Sequence, residues 1–249
     1  MNLEILSQVI NHDQYNSFEF SQKLNQFFLG FSKVNIKYDN KSHHVNKILI
    51  DVNYLNNIGN TITVRPQILM NDISNNYSTP LSSIEVVALA SVGKINKNIY
   101  LNSNIKDETI QNMPLKNVKF IQSALYSTSV DFGLKDHHVE KYISNTAVIG
   151  NNDQNSYKLN TNFQFSDQSK NKGSGHIAGS AIAFNGSSKK VLCGCFPHSS
   201  NILVDYNTLK VDMGPYYRGF DGQEYSFHYF ISGFDLSYQK NKDHHVKEI

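Results

Sequence analysis

The sequence predicts a mainly β protein: an antiparallel, jelly-roll-like β-sandwich preceded by an N-terminal helical arm. Three observations predict it. Apolar residues before Gly30 have near-helical spacing, apolar residues after it alternate with a period of two, and Asn, Gly and Ser cluster at strand-length intervals. We expect the helical arm over residues 1–30 and the sandwich domain over residues 31–249. A chain of 249 residues, 39% of them hydrophobic, can bury one substantial core without disulfides.

The helical arm is predicted from two apolar segments. The first contains Leu3, Ile5, Leu6, Val9 and Ile10. The second follows the candidate cap Ser17 and contains Phe18, Phe20, Leu24, Phe27 and Phe28. We expect a short helix, a break at residues 11–16 and a longer helix that ends before Gly30.

The strands of the sandwich are predicted from alternation after the arm. It is clearest in three segments: Val34, Ile36, Tyr38; Val130, Phe132, Leu134; and Phe234, Leu236, Tyr238. Turn-forming clusters at residues 56–60, 71–78, 150–156 and 166–174 separate such segments. This regular succession of short strands and turns is typical of a sandwich or jelly roll.

A Lys-x-His-His-Val motif occurs three times, beginning at Lys41, Lys135 and Lys242, and each copy follows one of the alternating segments. The motif therefore marks three comparable strand ends, and it is compatible with two weakly similar halves of about a hundred residues.

The motif contains six of the ten histidines, which form a candidate pH switch: His43, His44, His137, His138, His244 and His245. Clustered imidazoles gain charge near pH 6.5 and would repel one another across an interface. A metal site would require ligands from several copies to converge, because adjacent residues of an extended chain point to opposite faces. Solvated loop histidines are the simplest interpretation, so we expect no metal site.

No motif predicts catalysis. Asp136-His137-His138 matches the signature of a phosphoesterase superfamily, but the Asp-rich companion motifs are absent. Cys193 and Cys195 have the wrong spacing for a zinc knuckle or a thioredoxin-like site. There is no Gly-x-Ser-x-Gly elbow and no phosphate loop ending in Gly-Lys-Ser/Thr. We expect neither an enzyme nor a bound cofactor.

Composition and sequence pattern restrict the cellular compartment and the classes of partner that we expect. The net charge is +2 and no basic block stands out, so we expect no direct nucleic-acid binding. The N-terminus lacks the features of a secretory signal, and no apolar run approaches the roughly 20 residues that span a bilayer. Two cysteines one residue apart suit a reducing compartment. We expect a cytoplasmic protein without membrane contact.

The basic residues are almost all lysine. Of 23, only Arg65 and Arg218 are arginine, so the other 21 lose their charge near pH 10.4, where the 14 tyrosines become anionic. A packed assembly would then repel itself. The candidate assembly and alkaline-sensing residues are Tyr15, Tyr216, Tyr217, Tyr225 and Tyr229.

Two short stretches resemble the cypovirus polyhedrins. Residues 11–16, Asn-His-Asp-Gln-Tyr-Asn, resemble an Asn-Ser-Glu-Gln-Tyr-Asn stretch near that family's N-terminus. Residues 225–230, Tyr-Ser-x-His-Tyr-Phe, resemble a Tyr-Ser-His-Tyr-Phe strand with one residue inserted. The resemblance implies a trimer-forming sandwich whose N-terminal helix clamps neighbouring molecules in intracellular crystals around virus particles. It also implies dissolution at alkaline pH and, as in some members, a nucleotide at trimer contacts.

The expected function is therefore that of a self-assembling structural protein of viral occlusion bodies, with its own copies and virus particles as partners. The first alternative is a carbohydrate- or membrane-binding sandwich module, such as a lectin or pore-forming toxin, that uses exposed Tyr and Phe. The second is a metal-dependent enzyme built on the His-His motifs.

Overall fold

The computed structural model describes residues 3–185 and 228–237, except residues 37, 39–43, 75, 79–81, 107–109, 114, 119, 134–137, 152–155, 168 and 170. Within these residues every regular element is a β-strand, and every strand pair is antiparallel. The prediction of a mainly β, antiparallel protein is confirmed.

The strands are β1 (Leu3–Asn11), β2 (Asn16–Glu19), β3 (Leu24–Asn35), β4 (Lys47–Asp51), β5 (Tyr54–Ile58), β6 (Thr61–Val64), β7 (Gln67–Asn71), β8 (Ser83–Val92), β9 (Ile99–Lys106), β10 (Ile110–Asn112), β11 (Phe120–Asp131), β12 (Val139–Asn151), β13 (Ser156–Asp167), β14 (Ser174–Phe184) and β15 (Gly233–Ser237). They form four sheets, with the orders β1-β8-β3, β2-β6-β5, β7-β4-β11-β14-β9 and β10-β13-β12-β15.

The helical arm predicted for residues 1–30 is wrong, because β1, β2 and most of β3 occupy the described part of this segment. β1 buries apolar side chains on both of its faces. Leu6 and Ile10 pack into the main core, whereas Leu3 and Ile5 pack against a second cluster around Phe28. A strand with two apolar faces loses the period of two, and its spacing then imitates a helix. β3 also crosses the predicted domain boundary at residue 30.

The described part of the chain contains two units of the same topology, residues 3–92 and 99–184. In the first unit β1 and β3 flank β8, and in the second β9 and β11 flank β14. The strand β12 corresponds to β4 plus β5, β13 to β6 plus β7, and β10 to β2. The two weakly similar halves that the repeated motif indicated stay a prediction, and the correspondence found here is one of strand topology.

Equivalent turns support the same correspondence. Asp72 accepts hydrogen bonds from the backbone N–H and the side-chain amide of Asn76, at 2.9 and 2.6 Å. In the second unit Asp167 accepts the same two bonds from Asn171, at 2.7 and 2.8 Å. Both aspartates are buried, so each carboxylate closes its turn from within the fold.

The units are joined edge to edge. The strand β4 of the first unit pairs with β11, the first long strand of the second unit, and β12 of the second unit pairs in the same way with β15. Each joint ends in an equivalent hydrogen bond: Val52 N–H to the Tyr126 carbonyl at 3.2 Å, and Thr146 N–H to the Ser232 carbonyl at 2.8 Å. Strand β15 therefore occupies the position of the first long strand of a further unit.

Residues 228–232 connect three sheets. The backbone N–H of Ile231 donates to the Phe31 carbonyl in β3 at 2.9 Å, and the Ile231 carbonyl accepts from Leu125 in β11 at 2.8 Å. The ring of Phe230 packs edge-on against Phe28, with centroids 4.6 Å apart. This segment therefore seals the interior between β3 and β11.

Candidate functional site

Two of the three Lys-x-His-His-Val copies meet at the joint between the units. The Nε2 atoms of His44 and His138, 94 positions apart in the sequence, lie 3.0 Å from each other. The two rings are nearly perpendicular, at 76°, with centroids 4.3 Å apart. At this distance one imidazole donates to the other, and which one donates depends on the tautomers.

The backbone around the two histidines is held by burial and by cross-unit hydrogen bonds. Val45 and Val139, the last residues of the two motif copies, are 0% and 3% exposed. Asn46 donates from its amide to the Gly133 carbonyl at 2.6 Å and accepts at its own carbonyl from Phe132 N–H at 2.9 Å. The folded joint therefore fixes the convergence of the two rings.

The other four histidines of the candidate switch, His43, His137, His244 and His245, lie outside the described residues. The rings of His44 and His138 lie within hydrogen-bond distance of each other. The switch itself stays a prediction.

A polar groove of about 650 Å³ lies beside this joint. Its lining comes from five segments of the chain. The polar residues include Asp51, Asn53, Asn104, Lys106, Ser127, Thr161 and His176, and the aromatic ones are Tyr54, Tyr126 and Phe163. A second groove of about 420 Å³ shares Tyr54 and Asn104 with it, so the two grooves are neighbours.

Charged and polar groups of the groove are placed by strand register. Ser127 in β11 lies opposite Asp51 in β4, and Ser129 lies opposite His176 in β14. Burial raises the pKa of Asp51, while a hydrogen bond from Asn53 N–H and the nearby His176 counteract part of that rise.

The arrangement around His176 is not that of a nucleophile-base-acid triad. Its Nδ1 lies 2.6 Å from Ser129 Oγ and its Nε2 lies 3.4 Å from Ser127 Oγ, so serines contact both ring nitrogens. In a triad the acid orients the histidine, whereas Asp51 here accepts from Asn53 N–H at 2.9 Å. The groups are suited to hydrogen bonding with a polar ligand.

The floor of the groove is anchored by Tyr126, which lies at a bulge between Leu125 and Ser127. Its hydroxyl accepts from Tyr54 N–H at 2.8 Å, and burial raises the pKa of both phenols. Sequence reasoning missed this groove because its residues come from separate strands. The one available signal was a polar His176 inside an otherwise small and apolar strand.

The candidate assembly tyrosines are only partly described. Tyr15 is 66% exposed, and the Arg65 guanidinium lies 4.8 Å from the centre of its ring. Arg65 also pairs with Asp13 at 2.7 Å, which keeps this surface cluster ordered. Tyr229 is 57% exposed. Tyr216, Tyr217 and Tyr225 lie outside the described residues.

The outer edge of β1 differs from the equivalent edge in the second unit. At β9 the N–H of Leu101 donates to the side chain of Gln26, and Ser103 Oγ accepts from Leu29 N–H at 2.7 Å, so β3 of the preceding unit covers that edge. At β1 no described residue bonds to the outer backbone edge, although Val9 on this strand is 64% exposed.

No family model, curated protein or solved structure matches this chain. The resemblance to polyhedrins therefore stays a prediction. Among the described residues there is no helix of sufficient length and apolar character to cross a membrane. The same residues contain no group of three or more His, Cys, Asp or Glu side chains arranged to hold a metal ion.

Proposed function

We propose that this chain is a non-catalytic, self-assembling structural protein whose copies join head to tail at the outer edge of β1. The observation that supports this most directly is the nine-residue β1 edge. It has no Pro or Lys and one charge, Glu4, whereas natural edge strands are commonly protected by such residues. Long unprotected edges invite pairing with another chain.

A second copy of the chain is the occupant that the repeat favours. Strand β9 is covered by the β3 strand of the preceding unit, through Gln26 and Ser103. Strand β1 occupies in the first unit the position that β9 occupies in the second. The equivalent cover for β1 would therefore be the strand of another molecule that corresponds to β3. Strand β15 corresponds to β3 and β11, and its described residues pair only with β12. Such a contact is heterologous, and its repetition generates a closed ring or an open helical filament.

The test compares two lysine substitutions at exposed aliphatic residues. Val9→Lys changes a side chain that is 64% exposed on the β1 edge, and Ile95→Lys changes one that is 72% exposed in the turn before β9. Neither side chain supports the core. We expect wild type and Ile95→Lys to associate in sedimentation velocity at neutral pH, and Val9→Lys to sediment as a monomer.

Circular dichroism should show the same β spectrum for all three proteins. A wild type that stays monomeric at high concentration would refute the assembly proposal. If the wild type and Val9→Lys associate equally, assembly uses a surface other than the β1 edge.

The finer parts of the proposal are a trimeric, jelly-roll-like building block, cytoplasmic crystals or viral occlusion bodies, and release at alkaline pH. Electron microscopy of expressing cells tests for the crystals. Turbidity of isolated crystals between pH 8 and about pH 11 tests for release, because Lys and Tyr titrate in that range. Crystals that persist above the range would contradict the alkaline mechanism.

The groove favours a second candidate function, that of a carbohydrate-binding module. Side-chain amides of Asn53 and Asn104 lie in it with the rings of Tyr54 and Phe163, and sugars are bound by such combinations of amide groups and aromatic faces. Glycan-array binding by monomeric Val9→Lys protein would support this function. An array without signal would argue against it.

A further inference from the structure

We propose that His44 and His138 together bind a divalent transition-metal ion through their Nε2 atoms, across the joint between the two units. The two nitrogens lie 3.0 Å apart on rings that are nearly perpendicular. Both are the same atom of a residue that supplies neutral nitrogen ligands to Zn²⁺, Ni²⁺ and Cu²⁺. The proposal does not depend on self-assembly at β1.

Both imidazole rings must rotate outward to accept an ion. Two imidazole nitrogens at about 2.0–2.1 Å from a tetrahedral ion are about 3.3 Å from each other. The observed 3.0 Å separation is slightly shorter, so the two rings must turn outward until both lone pairs face the ion. Binding requires both rings in the tautomer with the proton on Nδ1, which exchanges the His-His hydrogen bond for two metal bonds.

The fold pre-organises the two ligands. Val45 and Val139 are buried beside them, and Asn46 holds the Phe132–Gly133 backbone by two hydrogen bonds. Ligands that folding already brings together do not have to lose conformational freedom when the ion binds. A pair of flexible surface histidines would lose conformational freedom on binding the ion.

The nature of the ligands defines the metal class. Two imidazoles favour the nitrogen-preferring ions Cu²⁺, Ni²⁺ and Zn²⁺ over Mg²⁺, Ca²⁺ and Mn²⁺, with Cu²⁺ bound most tightly. The described residues offer no group of three or more ligating side chains, so the proposed site is defined by its two imidazole ligands. The ion would be exchangeable, and it would link the start of β4 in the first unit to the start of β12 in the second.

The test uses NiCl₂ as the probe and MgCl₂ as the negative control, with isothermal titration of the full chain. The variants are His44→Gln, His138→Gln and the double variant, because glutamine retains hydrogen-bonding groups at each position. His228→Gln is the matched control, since His228 is an exposed histidine in the described segment 228–237.

We expect wild type and His228→Gln to bind Ni²⁺ with the same affinity and to gain thermal stability on binding, and neither to respond to Mg²⁺. Each single variant should bind at least tenfold more weakly. The Ni²⁺ affinity of the double variant should be no lower than that of either single variant, because removing one ligand already abolishes a two-ligand site. Comparing variants also removes any contribution from Cys193 and Cys195.

Equal Ni²⁺ affinity in wild type and the two single variants would overturn the proposal, as would the absence of binding by wild type. If one single variant fails to fold, the other single variant gives the same comparison with wild type. Pulsed electron paramagnetic resonance of the Cu²⁺-loaded protein should show coupling to at least two imidazole nitrogens. Coupling to one or none would refute a shared site.

Discussion

Replacing Tyr142 with phenylalanine should lower the stability of the protein at neutral pH and leave it less sensitive to alkali. The Tyr142 side chain is fully buried, and its hydroxyl lies 3.1 Å from Thr128 Oγ1. Ser144 Oγ donates to the same Thr128 oxygen at 2.8 Å, so Thr128 keeps a partner after the substitution. The loss at pH 8 should therefore be about 1 kcal/mol, the usual net value of one hydrogen bond.

The alkaline effect has the opposite sign. Burial raises the pKa of Tyr142 in the folded protein above its ordinary value of 10.0. Below pH 10 both states keep the phenolic proton, so its burial is not penalised. Above pH 10 the unfolded chain loses this proton and the folded one retains it, which lowers the free energy of unfolding by about 1.4 kcal/mol per pH unit. Phenylalanine has no such proton.

Urea unfolding followed by circular dichroism at pH 8 and pH 11 measures both effects. We expect Tyr142→Phe to be about 1 kcal/mol less stable than wild type at pH 8, and as stable as wild type or slightly more so at pH 11. Tyr229→Phe, at a side chain that is 57% exposed, is the control and should follow wild type throughout. An unchanged difference between Tyr142→Phe and wild type at the two pH values would refute the reasoning.

The alkaline response of this protein thus has a source in its interior. Burial raises the pKa of Tyr126 and Tyr157 as well as that of Tyr142. All three phenols therefore weaken the fold as pH rises above 10, whatever the surface tyrosines contribute to assembly. Alkaline release of an assembly would be accompanied by loosening of the subunit itself.

Three further substitutions test the packing. Asp167→Ala and its first-unit equivalent Asp72→Ala each remove two hydrogen bonds from a buried turn. Each should lower the free energy of unfolding, measured in urea, by about 1–3 kcal/mol. A loss of stability in one variant alone would argue against equivalent turns. Gly175→Ala should cost about 1–3 kcal/mol or more, because the added methyl group would meet the Ser129 carbonyl and the Phe163 ring. A melting temperature equal to that of wild type would show that β14 can shift away from β11 and β13 without cost.

Local pattern was sufficient for the fold class but not for the N-terminal segment. Alternation with a period of two arises from neighbouring residues of one strand, so it predicts from the sequence alone a strand such as β15, which contains Phe234 and Leu236 of one alternating segment. Strands β1 and β3 bury both faces, and their pattern resembles that of a helix. Only pairing with β8, a partner distant in sequence, determines that this segment is extended.

The sequence by itself determined that the chain is mainly β and that it carries a repeated motif. Only the tertiary structure decided that His44 and His138 meet, that Asp51 and His176 share a groove, and that β1 has no cover among the described residues. The physical reason is that strand pairing is long-range. Which edges meet depends on the competition among all strands for backbone partners, and no local pattern records that outcome.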